Sequence, residues 1–202
     1  MNGEIVQLPQ PETDGEVALE RAIARRRSRR SFAGEGLSLE QAGQVLWSAQ
    51  GITDGNFRAA PSAGATYPLE LFVVVGEDSV EGLQTGIYNY RPQDHSLEQV
   101  LEGDVRGRLA RAALNQQFVA QAPMSIVIAA DYARTTGRYG ERGVRYVHME
   151  VGHAGGNIYL QCEALGLATV AVGAFDDQEV EEITGISGRF DALYIMPVGY
   201  ER

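Results

Sequence analysis

The chain predicts an α+β fold, a mixed sheet wrapped by helices. Three observations carry that expectation. Leu69-Glu70-Leu71-Phe72-Val73-Val74-Val75 and Ser125-Ile126-Val127-Ile128-Ala129-Ala130 read as strands buried on both faces. From Val144 to Leu165 the apolar positions Val147, Val151, Ala154, Ile158, Cys162 and Leu165 recur at intervals of 4, 3, 4, 4 and 3, the stripe of a long helix. Helical and strand patterns are interleaved without regular alternation, which disfavours a doubly wound sheet. With 202 residues the chain can bury roughly 70% of its unfolded surface around one core.

No repeat or linker divides the sequence, so residues 1–15 are expected as an extended arm and 16–202 as one domain. A helix is expected from near Glu16, with Val17, Ala18, Ala22 and Ile23 on one face. Ser38-Leu39-Glu40-Gln41 is a capping-box signature opening a second helix, with Leu39, Ala42, Val45, Leu46 and Ala49 inward. Pro61 and Pro68 bracket a small-residue loop before the first buried strand. Shorter strands follow at Gly86 to Tyr90 and Ser96 to Leu101, then a helix from Val105 to Phe118. Past the long helix come a strand at Ala168 to Val172, a helix capped by Asp176 with Glu179 three residues on, and a last strand through Leu193 to Met196. Gly152, Gly155 and Gly156 inside the long helix each cost about 1 kcal/mol relative to Ala, which something packed closely there must offset.

All 17 basic residues are Arg, and 27 acidic residues bring the net charge to −10. The absence of Lys excludes a lysine Schiff base and a Walker-type phosphate loop. Cys162 is the sole cysteine, so a Cys-x-x-Cys pair and an intrachain disulfide are excluded, and its apolar neighbours point to a buried structural thiol. The acidic balance argues against nucleic acid, no apolar run approaches the ~18 residues of a membrane span, and the first residues lack the pattern of an export signal, so a cytoplasmic location is expected. His148, Glu150 and His153 resemble a metal cluster. On a helix, however, positions 148 and 150 lie about 200° apart and 148 and 153 about 140° apart, so no metal site is expected.

Three stretches remain as candidates for binding chemistry. Arg25-Arg26-Arg27-Ser28-Arg29-Arg30 gathers five guanidinium groups, which repel one another unless an anion sits among them. A solvated positive face and a nucleic-acid patch are the competing readings, and a small phosphorylated ligand is preferred. Pro61-Ser62-Ala63-Gly64-Ala65-Thr66-Tyr67-Pro68 can lie against a flat ring or be an ordinary tight loop. Val172-Gly173-Ala174-Phe175-Asp176 runs from a strand end into a helix start, where free amides suit partial negative charge.

In this order and spacing, the stretches resemble the FMN-dependent nitroreductase superfamily and its SagB-type dehydrogenase branch. Arg26 to Phe32 is similar to the Arg-x-Ser-x-Arg flavin-phosphate motif, and Pro61 to Glu70 to the branch's Pro-Ser-Ala-Gly loop. The likeness continues through Gly86 to Tyr90, Asn115 to Val119, Gly152-His153 with Asn157, Gly173 to Asp177 and Pro197 to Tyr200. It implies a mostly antiparallel central sheet and an intertwined homodimer with FMN in two interface clefts, each lined by both chains, the glycines of the long helix packing in the dimer core. By position, Arg26, Arg27, Ser28 and Arg30 would hold the phosphate and ribityl chain, and Pro61, Ser62, Ala63 and Gly64 would contact the isoalloxazine ring. Asn115 or Gln116 would reach the pyrimidine edge, and the amides near Val172, Gly173 and Ala174 would meet flavin N5. The implied activity is two-electron transfer from NAD(P)H to a small conjugated or nitroaromatic acceptor by a ping-pong cycle. The alternatives are a peptide or azoline dehydrogenase using oxygen, and a flavin-binding module without turnover. Azoline-oxidising members rely on a lysine-tyrosine pair, and this chain has no lysine.

Overall fold

A computed structural model describes residues 3–202. Its centre is a seven-stranded sheet in the order β1-β6-β5-β4-β7-β9-β8, with every pair antiparallel. The strands are β1 (Ile5–Gln7), β4 (Leu69–Val75), β5 (Gly86–Arg91), β6 (Ser96–Glu102), β7 (Met124–Ala130), β8 (Ala168–Thr169) and β9 (Asp191–Gly199), while β2 (Ile52–Asp54) and β3 (Phe57–Arg58) form a separate hairpin. β4 and β7 pair over their whole length from Leu69↔Ala130 to Val75↔Met124, and every residue of β7 is buried. Burial on both faces is why these two strands read as continuous apolar runs.

The helices are α1 (Leu19–Arg25), α2 (Leu39–Gln50), α3 (Arg106–Ala112), α4 (Phe118–Gln121), α5 (Tyr132–Tyr139), α6 (Arg142–Ala164) and α7 (Asp177–Thr184). Alternation along β4 assigns them to two layers. Leu69, Leu71, Val73 and Val75 pack in one core with Val45 and Leu46 of α2 and Val147, Val151 and Ile158 of α6. Phe72 and Val74 pack in the other with Leu109 of α3, Val119 of α4 and Val180 of α7. The stripe expected through the long helix is the buried face of α6, with Val147, Val151, Ala154, Ile158 and Cys162 all inside. Both caps form as the sequence suggests: Ser38 accepts from the Gln41 amide while the Gln41 side chain accepts from Ser38, and Asp176 accepts from the Glu179 amide. Replacing Ser38 with Ala should therefore lower stability by about 1 kcal/mol, measured as a shift in the urea midpoint.

Several expectations are corrected. Within the N-terminal arm, Ile5–Gln7 forms an edge strand that the sequence did not mark, paired through Ile5↔Glu98 and Gln7↔Ser96; Met1 and Asn2 lie outside the described residues. The first helix starts at Leu19 rather than Glu16 and buries only Ala22, leaving Ile23 56% exposed. The helix expected over Val105 to Phe118 is broken into α3 and α4, because Leu114 and Asn115 take left-handed φ values of 54° and 62°. The strand expected to Val172 ends at Thr169, and Val172 rejoins β9 by one bridge to Ile195. Among the described residues, no helix is long and apolar enough to cross a membrane.

Candidate functional site

Helix α6 is the spine of the site, and its two halves hold different motifs. Near its C-terminal end, Tyr159 gathers the first set. Its hydroxyl accepts the Ala171 amide at 2.8 Å and meets the Ser28 hydroxyl at 2.8 Å, while the Arg26 guanidinium lies 5.0 Å from its ring centroid. The Arg29 amide also donates to the Thr169 carbonyl at 3.0 Å, which ties the arginine run to the start of the Val172–Ala174 segment. With the Ala171 amide on one lone pair, the Tyr159 hydroxyl can donate its proton to Ser28, leaving the Ser28 proton for a ligand.

The five arginines of this run divide by partner. Arg29 is neutralised by Glu201 at 2.8 Å and Glu163 at 3.4 Å. Arg27 folds back onto the carbonyls of Ala24 and Arg26, capping the end of α1. Arg25, Arg26 and Arg30 have no carboxylate partner among the described residues, and of these Arg26 and Arg30 stand two residues to either side of Ser28. Two unpaired guanidinium groups beside a serine hydroxyl suit a phosphate dianion, the anionic end of FMN.

The amide-bearing segment lies at the same end. The Val172 amide is not available to a ligand, because it donates to the Ile195 carbonyl at 2.9 Å and the residue is buried. That narrows the expectation to Gly173 and Ala174, which are exposed and whose amides have no acceptor among the described residues. Gln116 is also engaged within the chain. Its side-chain nitrogen donates to the carbonyls of Ala113 at 2.9 Å and Ala174 at 3.1 Å, stapling the α3–α4 turn to the amide segment. The staple places Asn115, exposed and held in the left-handed region, beside Gly173 and Ala174. Arg26, Ser28, Asn115, Gly173 and Ala174 thus belong to one end of the molecule.

Pro61, Ser62, Ala63 and Gly64 are held by a different set of partners. They lead into a 3-10 turn over Ala63–Ala65 that is tied to α5: Arg138 donates to the Gly64 carbonyl at 3.0 Å, Thr66 bonds Thr135 at 2.8 Å, and Arg134 donates to the Tyr67 carbonyl at 3.0 Å. Gly64 has φ of 60°, a left-handed conformation that glycine adopts without strain and a β-branched residue resists. Beneath the loop lies Glu150 of α6, nine residues before Tyr159 or about 13 Å along the axis. Among the described residues no hydrogen bond or ion pair joins the loop to the arginine run, and Ala59, two residues before the loop, is held instead by the Asn157 side chain of α6 at 3.3 Å.

Sequence reasoning missed two side chains that organise these ends. Tyr159 is one residue off the apolar stripe, and no motif marks it. Glu150 stood out only beside His148 and His153, yet each goes its own way: His148 bonds the Tyr132 hydroxyl at 2.6 Å, His153 is exposed, and Glu150 is 2% exposed beneath the loop. A separate cavity of about 690 Å³ is lined by Arg58, Glu70, Phe72, Arg134, Thr184 and Phe190.

A family model described as the nitroreductase family matches residues 23–200. The chain belongs to the nitroreductase family. It is 48% identical over 195 residues to a Methanocaldococcus jannaschii protein named as a nitroreductase, covering 96% of this chain and 95% of that one. It is 25% identical over 142 residues to the microcin B17-processing protein McbC of Escherichia coli, of which it spans 52%, the match covering 69% of this chain. Among solved structures, a nitroreductase-named protein of Ralstonia eutropha superposes with a TM-score of 0.84 at 24% identity, over 98% of this chain and 90% of that one, sharing its fold. A nitroreductase-family chain with an all-antiparallel sheet and this loop set is an oxidoreductase by family.

Proposed function

We propose that the protein is an FMN-dependent oxidoreductase acting as a homodimer, taking electrons from NAD(P)H and passing them to a small conjugated or nitroaromatic acceptor. One observation carries the reading: Arg26, Ser28, Asn115, Gly173 and Ala174 are gathered through Tyr159 and Gln116, while the Pro61–Gly64 loop is tied instead to α5 and has no bond to that set among the described residues. A complete cleft then needs the loop of a second copy, which is the arrangement the family resemblance implies. FMN, when bound, supplies the two-electron chemistry. Arg26, Arg30 and Ser28 bind the phosphate, and the Asn115 carboxamide offers a donor and an acceptor to the ring's polar edge. The Gly173 and Ala174 amides favour negative charge on the ring, and the second copy's loop backbone excludes water from its face. Val144 and Met149, 39% and 52% exposed on the outer face of α6, would be covered by that copy. The purified protein should be yellow and lose its visible absorbance when NADH or NADPH is added without oxygen. A colourless protein that takes up no added FMN would overturn the reading.

A second reading is favoured by the likeness to McbC and by the Pro61–Glu70 loop: a dehydrogenase of heterocycle-bearing peptides that returns electrons to oxygen. Oxygen consumption with an azoline-containing peptide, and none with nicotinamide, would select it.

A further inference from the structure

The loop that ends on Gly64 conceals a carboxyl group for which the cofactor cradle has no use. Glu150 is 2% exposed, and its Oε1 has no hydrogen-bond partner. A buried carboxylate oxygen without a donor is costly, and the cost falls when the group is protonated. The Ser62 hydroxyl stands against this carboxyl, and the same hydroxyl accepts the Tyr67 amide at 2.9 Å. Ser62 is only half buried and belongs to the loop assigned above to the ring face.

We propose that Glu150 is the proton-holding group of the cleft and that Ser62 is its carrier. This rests on the proposed function, since it places an acceptor over the loop. A hydroxyl has two lone pairs and one proton. With Glu150 ionised, the Ser62 proton is drawn inward to the carboxylate. With Glu150 protonated, its O–H occupies the second lone pair of Ser62, the Tyr67 amide occupies the first, and the Ser62 proton is free for an acceptor on the open side. In the transfer, the Glu150 O–H bond breaks as Ser62 Oγ gains that proton. Ser62 releases its own proton to the acceptor, Glu150 becomes a carboxylate, and no electrons move. Water restores the Glu150 proton between turnovers.

The surrounding charges suit a group that changes state near neutrality. Burial lifts the Glu150 carboxyl to about 7, against the opposing pulls of the Ser62 hydroxyl and the Arg58 guanidinium. Arg58 on β3 is itself pulled down by burial, stacks on Tyr67 at 4.6 Å, and feels Glu70 of β4 and Arg134 of α5 as well as Glu150. Arg134 is paired with Glu70 at 2.7 Å. The guanidinium nearest to Glu150 is therefore shared with a second carboxylate, which leaves Glu150 without a partner of its own.

Infrared spectra of the flavin-free protein test the resting state. A protonated-carboxyl carbonyl band should disappear as pH is raised through about 7 and be missing from Glu150→Gln; a band-free wild type overturns the proposal whatever the flavin does. With FMN bound, turnover of the wild type should fall above pH 7. Glu150→Gln should be slower by about 100-fold and lose that limb while retaining FMN, as expected for loss of a general acid. Ser62→Ala should keep the carbonyl band, with its titration moved upward because the pull of the Ser62 hydroxyl is lost, yet lose rate to the same extent. A pH limb unchanged in Glu150→Gln, or full rate in Ser62→Ala, overturns the relay. Failure to bind FMN in the wild type would instead overturn the proposed function, with the carbonyl band still readable.

Discussion

Two variants that each fail to hold FMN should recover it when mixed. Gly64→Val damages the loop, because φ of 60° is a left-handed conformation that a β-branched residue strongly resists and its Cβ would meet the Tyr139 hydroxyl at 2.5 Å and Arg138 Nη1 at 2.8 Å. Arg26→Ala with Arg30→Ala removes the unpaired guanidinium groups, each expected to contribute about 1–3 kcal/mol to phosphate binding. Refolded together in equal amounts, half of the dimers carry one damaged chain of each kind. In each such dimer one cleft has both lesions and the other has none. About a quarter of the wild-type flavin content should therefore return, measured by absorbance after gel filtration. No recovery, with both variants folded by circular dichroism, would place loop and arginines of one cleft on one chain.

The second large effect concerns stability. Ile158→Ala should lower the free energy of unfolding by about 2–5 kcal/mol, because the side chain is fully buried between α6 and the sheet in the core that also holds Val45, Leu46 and Met196. The urea midpoint should fall with little change in slope, since the surface exposed on unfolding is unchanged. Val144→Ala, in the first turn of the same helix but 39% exposed, serves as the contrast and should shift the midpoint far less in isolated subunits. An Ile158→Ala protein as stable as its parent would mean that α6 is not the spine of the core.

The parts of the fold legible in the sequence were those with strong periodicity or explicit caps. β4, β7, α2, α6 and α7 fall where their apolar spacing or capping residues put them, because each buries a full face. The parts that escaped have little apolar signal. Helix α5 buries only Thr135, packs on α6 through Tyr132 and holds the loop through Arg134 and Arg138, so it carries little apolar signal. β1 is three residues long, and its place at the edge is decided by β6, more than 80 residues away in sequence. The break between α3 and α4 turns on two left-handed residues, of which Asn115 is an ordinary candidate and Leu114 is not.

At the site, motif spacing marks candidate stretches but not the duty of each side chain. Arg27 and Gln116 serve the local backbone, and Val172 is joined to β9, while Tyr159 and Glu150 act from a helix whose sequence speaks only of packing. Such duties depend on contacts across the chain, as between Ser28 and Tyr159, and no local pattern encodes them.

Cys162 gives the spine a built-in clock. It is the chain's one thiol, 1% exposed on the inner face of α6, and burial pushes it well above the usual thiol range. An alkylating reagent can reach it only when the helix lifts from the sheet, so the labelling rate of the native protein counts those excursions directly. Filling the cleft should slow the count, and the amount of slowing would measure how firmly a ligand at the rim clamps the middle of the molecule.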